Sequence, residues 1–249
     1  DLLSKTGRDK NCRGVLLRVE SPGGAVGSSQ EIFHALKRLR AKGIPLVVSF
    51  GNVAASGGYY AGLAGERIFA NPGTLTGSIG VIFQFPEAEK LMEKVGVSLQ
   101  TVKSGALKDV GSPTRKPTPS EIAYLQNVID DTYAQFLGDV AASRGMDPDS
   151  VRPFADGRVF TGRQALRAGL IDTLGGLDDA QAYLVALTGL KDDVPWVVEP
   201  KPKSRLEQFL DPEARSGISG LSGISGSAVG ELITSARQRF APGAFFLWP

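Results

Sequence analysis

The chain is predicted to be an α/β fold with a parallel sheet. Short β-branched apolar runs alternate with segments of helical period along most of its length. Runs such as Ile44-Pro45-Leu46-Val47-Val48-Ser49-Phe50 are continuously apolar, as expected of buried strands. Glycine collects at the turns between elements.

In order, the pattern predicts strand 14–20, helix 27–42, strand 44–50, helix 54–64 and strand 66–70. The helix at 27–42 has Ile32, Phe33, Leu36 and Leu39 as its apolar stripe. A turn-rich stretch, 71–85, contains a strand through Ile79–Phe83 and leads to helix 86–96 and strand 97–103. Pro117-Thr118-Pro119-Ser120-Glu121 reads as a helix start capped near Thr118 or Ser120. The helix it opens runs to about Arg144, with Ile122, Leu125, Val128, Ile129, Tyr133 and Phe136 on its apolar face. Asp130, Asp131 and Asp139 on it read as solvated charges. A short helix near 148–153, strand Val159-Phe160, helix 161–169, helix 177–189 and strand Trp196–Val198 follow. From about Lys201 the character changes: Ser-Gly triplets at 216–227 read as a linker, followed by a helix-like 231–240 and an apolar end, 244–249. Residues 1–200 are therefore expected to form the folded domain, with 201–249 a flexible tail.

At 249 residues and 42% hydrophobic content, the chain can bury a substantial core. A net charge of +2 with interspersed signs shows no nucleic-acid footprint. No Walker loop, Rossmann fingerprint or paired Cys/His spacing occurs, so neither a metal nor a cofactor is expected. A lone cysteine, Cys12, rules out an internal disulfide. The first ten residues carry neither a signal peptide nor an apolar span of ~20 residues.

The chemistry points to Gly51-Asn52-Val53-Ala54-Ala55-Ser56-Gly57-Gly58. Ser56 falls where a strand meets a helix, so free N–H groups and the helix dipole favour developing negative charge beside it. A serine nucleophile needs a base. The one histidine, His34, lies on an amphipathic helix beside lysines and arginines and reads as a solvated residue. The alternative is lysine. Lys108 stands on a loop after the strand expected at 97–103, whereas Lys103 at that strand's edge suits a surface role better. A second strand-to-helix turn, Ser21-Pro22-Gly23-Gly24, can aim backbone N–H groups at one spot. Parallel neighbouring strands would bring both turns to one sheet edge.

These segments, with Thr76-Gly77-Ser78-Ile79-Gly80-Val81, Lys103–Pro113 and Gly157–Gly176, resemble the short form of signal peptide peptidase A, the protease IV family. The resemblance covers roughly residues 10–190 and implies a Clp-protease/crotonase-like fold of stacked βαβ units plus a helical extension. It implies Ser56 as nucleophile, Lys108 as general base, Gly23 with Gly24 and Gly57 around the oxyanion, and Ser78 supporting the lysine. It further implies apolar peptide substrates, such as remnant signal peptides, and a ring-like homo-oligomer. Membrane association, with the catalytic domain outside the cytoplasm, is expected through an anchor that these residues do not contain. An ordinary lysine is neutral in about one molecule in 2,500 at pH 7. Lys108 is thus expected to be enclosed by protein or by a neighbouring subunit, with activity rising toward alkaline pH. Two other readings stand beside this one: a crotonase-like enzyme holding an acyl-CoA thioester without a nucleophilic serine, and an inactive structural member of the peptidase family.

Overall fold

A computed structural model describes residues 2–191 and 195–197. The chain divides into two units, Asp1–Asp192 and Asp193–Trp248. All regular structure described here belongs to the first. In the second, Trp196 and Val197 carry no strand, while Val198 and the tail expected from 201 lie outside the described residues.

The first unit is a mixed α/β arrangement around a mostly parallel six-stranded sheet. Its strands are β1 (Val15–Ser21), β2 (Leu46–Ala55), β3 (Arg67–Ala70), β4 (Leu75–Gly77), β5 (Val159–Thr161) and β6 (Thr173–Leu174). Its helices are α1 (Leu2–Thr6), α2 (Val26–Ala41), α3 (Gly57–Gly62), α4 (Glu89–Lys94), α5 (Pro119–Arg144), α6 (Pro148–Val151), α7 (Gly162–Arg167) and α8 (Leu177–Thr188). A single 3-10 turn, Arg152–Phe154, follows α6.

β2 is the axis of the sheet. β1 runs parallel along one edge, from Val15 opposite Leu46 onward. The other edge is shared, with β3 beside Val47–Phe50 and β4 beside Val53–Ala55. β6 extends the sheet from β3 in parallel, and β5 extends it from β4 antiparallel. The period-2 alternation of β2 separates two cores. Leu46, Val48 and Phe50 join α2, α3 and the second half of α5 in the larger one, while Val47 packs with Phe69, Ala180 and Leu184 under α8.

The switch of partner along β2 is built at Gly51. The register of β1 shifts between Val19 and Ser21, and the Glu20 carboxylate accepts from the N–H groups of Asn52 (2.8 Å) and Val53 (3.0 Å). A side chain at Gly51 would stand 1.8 Å from Glu20 Oε2. The carboxylate thus supplies the ladder partner that the bulge removes.

Several expected elements differ. The helix predicted at 54–64 starts only at Gly57, because Val53–Ala55 find a strand partner in β4. No strand forms at Ile79–Phe83: β4 ends at Gly77, Ser78 takes φ +51°, and Ser78 and Ile79 keep contact with the residues before β5 through two backbone bonds (Ser78 N–H to Arg158 O, 2.8 Å, and Gly157 N–H to Ile79 O, 3.0 Å) without regular strand geometry. Nor does 97–103 form a strand. Those residues are all exposed and no neighbouring strand pairs them, and an isolated strand is not stable in water. The two-residue β6 was too short to read from the sequence. The long helix forms as expected, with a Thr118–Glu121 capping box, Pro119 in its first turn and left-handed Gly145 at its end. Only its second half reaches the core, through Phe136, Leu137, Val140 and Ala141, whereas Ile122 and Val128 are exposed.

Candidate active site

Ser56 stands between β2 and α3 with φ +51° and ψ −120°. Ser56 and Ser78 are the two non-glycine residues with positive φ among the described residues. They are neighbours across the sheet: Ala55 pairs with Gly77, and the Ser56 N–H donates to Gly77 O at 2.8 Å. Strained backbone of this kind persists only where its surroundings hold it, and it collects at functional sites.

The surroundings here are specific. Tyr59, fully buried, donates its hydroxyl to Leu170 O at 2.9 Å. Tyr60 makes a very short hydrogen bond to Asp139 and packs edge-on to Phe33 (5.2 Å between centroids) and against Phe136 (4.6 Å). Burial raises both phenol pKa values, and at Tyr60 the Asp139 carboxylate adds to the effect, so both remain neutral donors. Two adjacent tyrosines therefore anchor the first turn of α3 to the core, Tyr59 at Leu170 and Tyr60 at Phe33, Phe136 and Asp139. Asp139 is part of that anchor, not the solvated charge expected from the sequence. Asp130 and Asp131 are exposed and accept from Gln126 and Gln135 on their own helix.

The Ser21-Pro22-Gly23-Gly24 turn lies against Ser56, as the parallel pairing of β1 and β2 requires. Gly23 has φ +115°, and a Cβ there would meet Ser56 Cβ at 2.8 Å and Gly57 N at 2.9 Å. A Cβ at Gly57 would meet Ser29 Oγ at 2.3 Å and Gly24 N at 3.2 Å. The two turns are thus in direct contact, and the contact requires glycine on both sides. The Gly23 N–H makes a long bond (3.2 Å) to Ser21 Oγ. The N–H of Gly57 belongs to the first turn of α3, where the helix itself offers no acceptor.

A small cavity of about 20 Å³, room for roughly one water molecule, opens beside Ser56. It is lined by Gly24, Ser29, Ser56, Gly57, Tyr60 and Phe136, among others. Ser29 follows the glycine turn by one helical turn and could have been found from that spacing. Phe136, 80 residues from Ser56 (136 − 56), had no local signal.

The structure brings Ser56, Gly23, Gly24, Gly57 and Ser78 into one neighbourhood. Lys108 is placed elsewhere. It is exposed on the 104–108 loop and does not line the Ser56 cavity, so the expected enclosure of this lysine is not met by this one chain. Lys103, the rival, is engaged by Ala106 O (2.8 Å) and Asp109 Oδ1 (2.5 Å). His34 is exposed on α2, its ring tilted against Phe33, as expected of a solvated histidine. Among the described residues no cluster of His, Cys, Asp and Glu could hold a metal ion, and no helix is long and apolar enough to cross a membrane.

A family model described as peptidase family S49 matches residues 38–191. A candidate protease of Synechocystis sp., slr0021, is 48% identical over 204 residues, covering 81% of this chain and 73% of that protein. A candidate signal peptide peptidase SppA of Enterococcus faecium is 44% identical over 178 residues, 72% of this chain and 52% of the relative. Protease 4 of Salmonella typhi is 39% identical over 183 residues, which are 74% of this chain and 29% of that enzyme.

Proposed function

We propose that this chain, which belongs to peptidase family S49, is a serine endopeptidase in which Ser56 is the nucleophile and Lys108 the general base. The observation that carries this reading is the strained Ser56 corner, held by two buried tyrosines and pressed against a glycine turn. Ser56 Oγ attacks the scissile carbonyl, and the neutral Lys108 amine takes its proton and returns it to the leaving amine. The oxyanion rests on N–H groups of Gly23, Gly24 and Gly57, the Gly23 N–H exchanging its long bond to Ser21 for the stronger charged acceptor. The Ser78 hydroxyl, beside the Gly77 carbonyl that holds Ser56, supports the lysine when it arrives.

The exposed position of Lys108 means that it reaches Ser56 from a second copy of the chain or by movement of its loop. A homo-oligomer satisfies the first route, with apolar peptides such as remnant signal peptides as substrates and a membrane-associated setting outside the cytoplasm. Peptide cleavage by wild type, Ser56→Ala and Lys108→Ala tests the dyad. Both variants are expected to lose at least about 10³-fold, as members of one catalytic unit do. Wild-type cleavage by either would overturn it. Mixing the two inactive variants separates the routes, since activity returns only if one copy's lysine serves another copy's serine.

A further inference from the structure

We infer that Asp109 and Arg115 are positioning residues for Lys108; this rests on the Ser56–Lys108 reading above. Every residue from 97 to 108 is exposed, and Val102 is 100% exposed, so no buried side chain anchors the segment that presents the lysine. Turn bonds from the Lys108 N–H to Gly105 O (3.1 Å) and from the Val110 N–H to Leu107 O (3.2 Å) shape it locally, and a row of four charges ties it to the fold. Lys103 pairs with Asp109 Oδ1 at 2.5 Å, joining the two residues that flank 104–108, and also donates to Ala106 O inside the loop. Behind Asp109 stands Arg115, whose Nε and Nη2 each lie 2.9 Å from one of its carboxylate oxygens. The same guanidinium turns its other side to Glu121, with Nη1 at 2.8 Å from Oε2 and Nη2 at 2.5 Å from Oε1.

Glu121 is the fixed end of the row. It is buried, sits in the first turn of α5, and accepts the Thr118 N–H at 2.8 Å as its half of the capping box. Force on the loop is therefore transmitted to a 26-residue helix whose far half lies in the core. Only a planar guanidinium can fork two carboxylates at once, so lysine cannot replace Arg115. The row closes the neck of the loop and leaves Lys108, immediately before Asp109, as the amine with its side chain presented outward. Lys103, spent on the clamp, cannot serve as the base.

The test is cleavage kinetics of the full chain on a fluorogenic apolar peptide for Asp109→Asn, Arg115→Lys and Lys108→Ala, and for Asp109→Asn in the Lys108→Ala background. Misplacing the base is expected to lower kcat by about 10- to 100-fold in Asp109→Asn and Arg115→Lys, with KM within about twofold. In the Lys108→Ala background, Asp109→Asn is expected to have no further effect, because its influence passes through the missing amine. An equal fold-loss in both backgrounds would show a merely structural role and overturn the inference. Should Asp109→Asn fail to fold, Arg115→Lys, which retains the charge, gives the same reading; wild-type kcat in it would also overturn the inference. An inactive Lys108→Ala with fully active positioning variants removes this inference and leaves the dyad. A fully active Lys108→Ala removes both.

Discussion

Gly23→Ala is the sharpest perturbation of the contact between the two turns. At φ +115° the new residue enters a region that costs a side chain about 1–3 kcal/mol. Its Cβ would meet Ser56 Cβ at 2.8 Å, Gly57 N at 2.9 Å and Ala55 O at 3.2 Å. None of these is the free end of a flexible side chain. Relief therefore requires opening the turn or displacing Ser56 until the contacts approach 3.4 Å. Displacement on that scale at the proposed nucleophile is expected to cost up to about 100-fold in rate, equivalent to roughly 2.7 kcal/mol of barrier. The strain lowers the thermal midpoint by about 2–4 °C per kcal/mol for a domain of this size. Gly27→Ala is the comparison: its Cβ meets nothing within 4 Å and its φ is not positive, so alanine in α2 stabilises by about 0.5–1 kcal/mol. Fluorophosphonate labelling of Ser56, peptide kcat/KM and the thermal midpoint are read on both variants. Gly23→Ala with wild-type labelling, turnover and midpoint would refute the packing argument.

Three further outcomes rest on other contacts in the fold. Arg144 donates through both Nη atoms to Asp172 (3.1 and 2.7 Å) and through Nε to Gly169 O, largely out of water. Arg144→Leu is expected to cost about 2–4 kcal/mol in urea unfolding, and a loss below about 0.5 would show that the pair carries nothing. Tyr59→Phe removes only the buried bond to Leu170 O and should cost about 1 kcal/mol, with slower Ser56 labelling if that bond fixes α3. The hydrogen bonds from Arg115 and the Thr118 N–H hold the Glu121 carboxyl down at about 2, from an ordinary 4.5. Because the folded value is depressed, this stabilisation is present above about pH 4.5 and is lost as pH falls toward 2. Glu121→Gln should therefore be less stable than wild type by a constant amount above pH 4.5, the two curves converging near pH 2; a gap that persists unchanged to pH 2 would contradict the Arg115 pairing.

The strand-to-helix corners at Ser21–Gly24 and Ala55–Gly57 were legible because local rules write them. β-branched runs end at glycine, and a parallel partner must bring both corners to one edge. The cap of α5 was legible for the same reason, since Thr118 and Glu121 are three residues apart. Expectations at 79–83 and 97–103 failed where apolar content was taken for a strand with no partner to pair it. Asp139 was misread because its hydrogen-bond partner is Tyr60, 79 residues away.

What the chain's own order of residues settled is the sheet with its glycine corners and a serine at one of them, since each depends on neighbours a few positions apart. Only the tertiary structure decided the rest. It set Ser56 in a strained corner clamped by Tyr59 and Tyr60, and lined the cavity beside it with a residue from α5. It also tied the Lys108 loop to Glu121 through Arg115 while leaving the lysine in solvent. The physical reason is that burial and charge pairing are properties of distance in space, and a linear sequence specifies distance only along the chain.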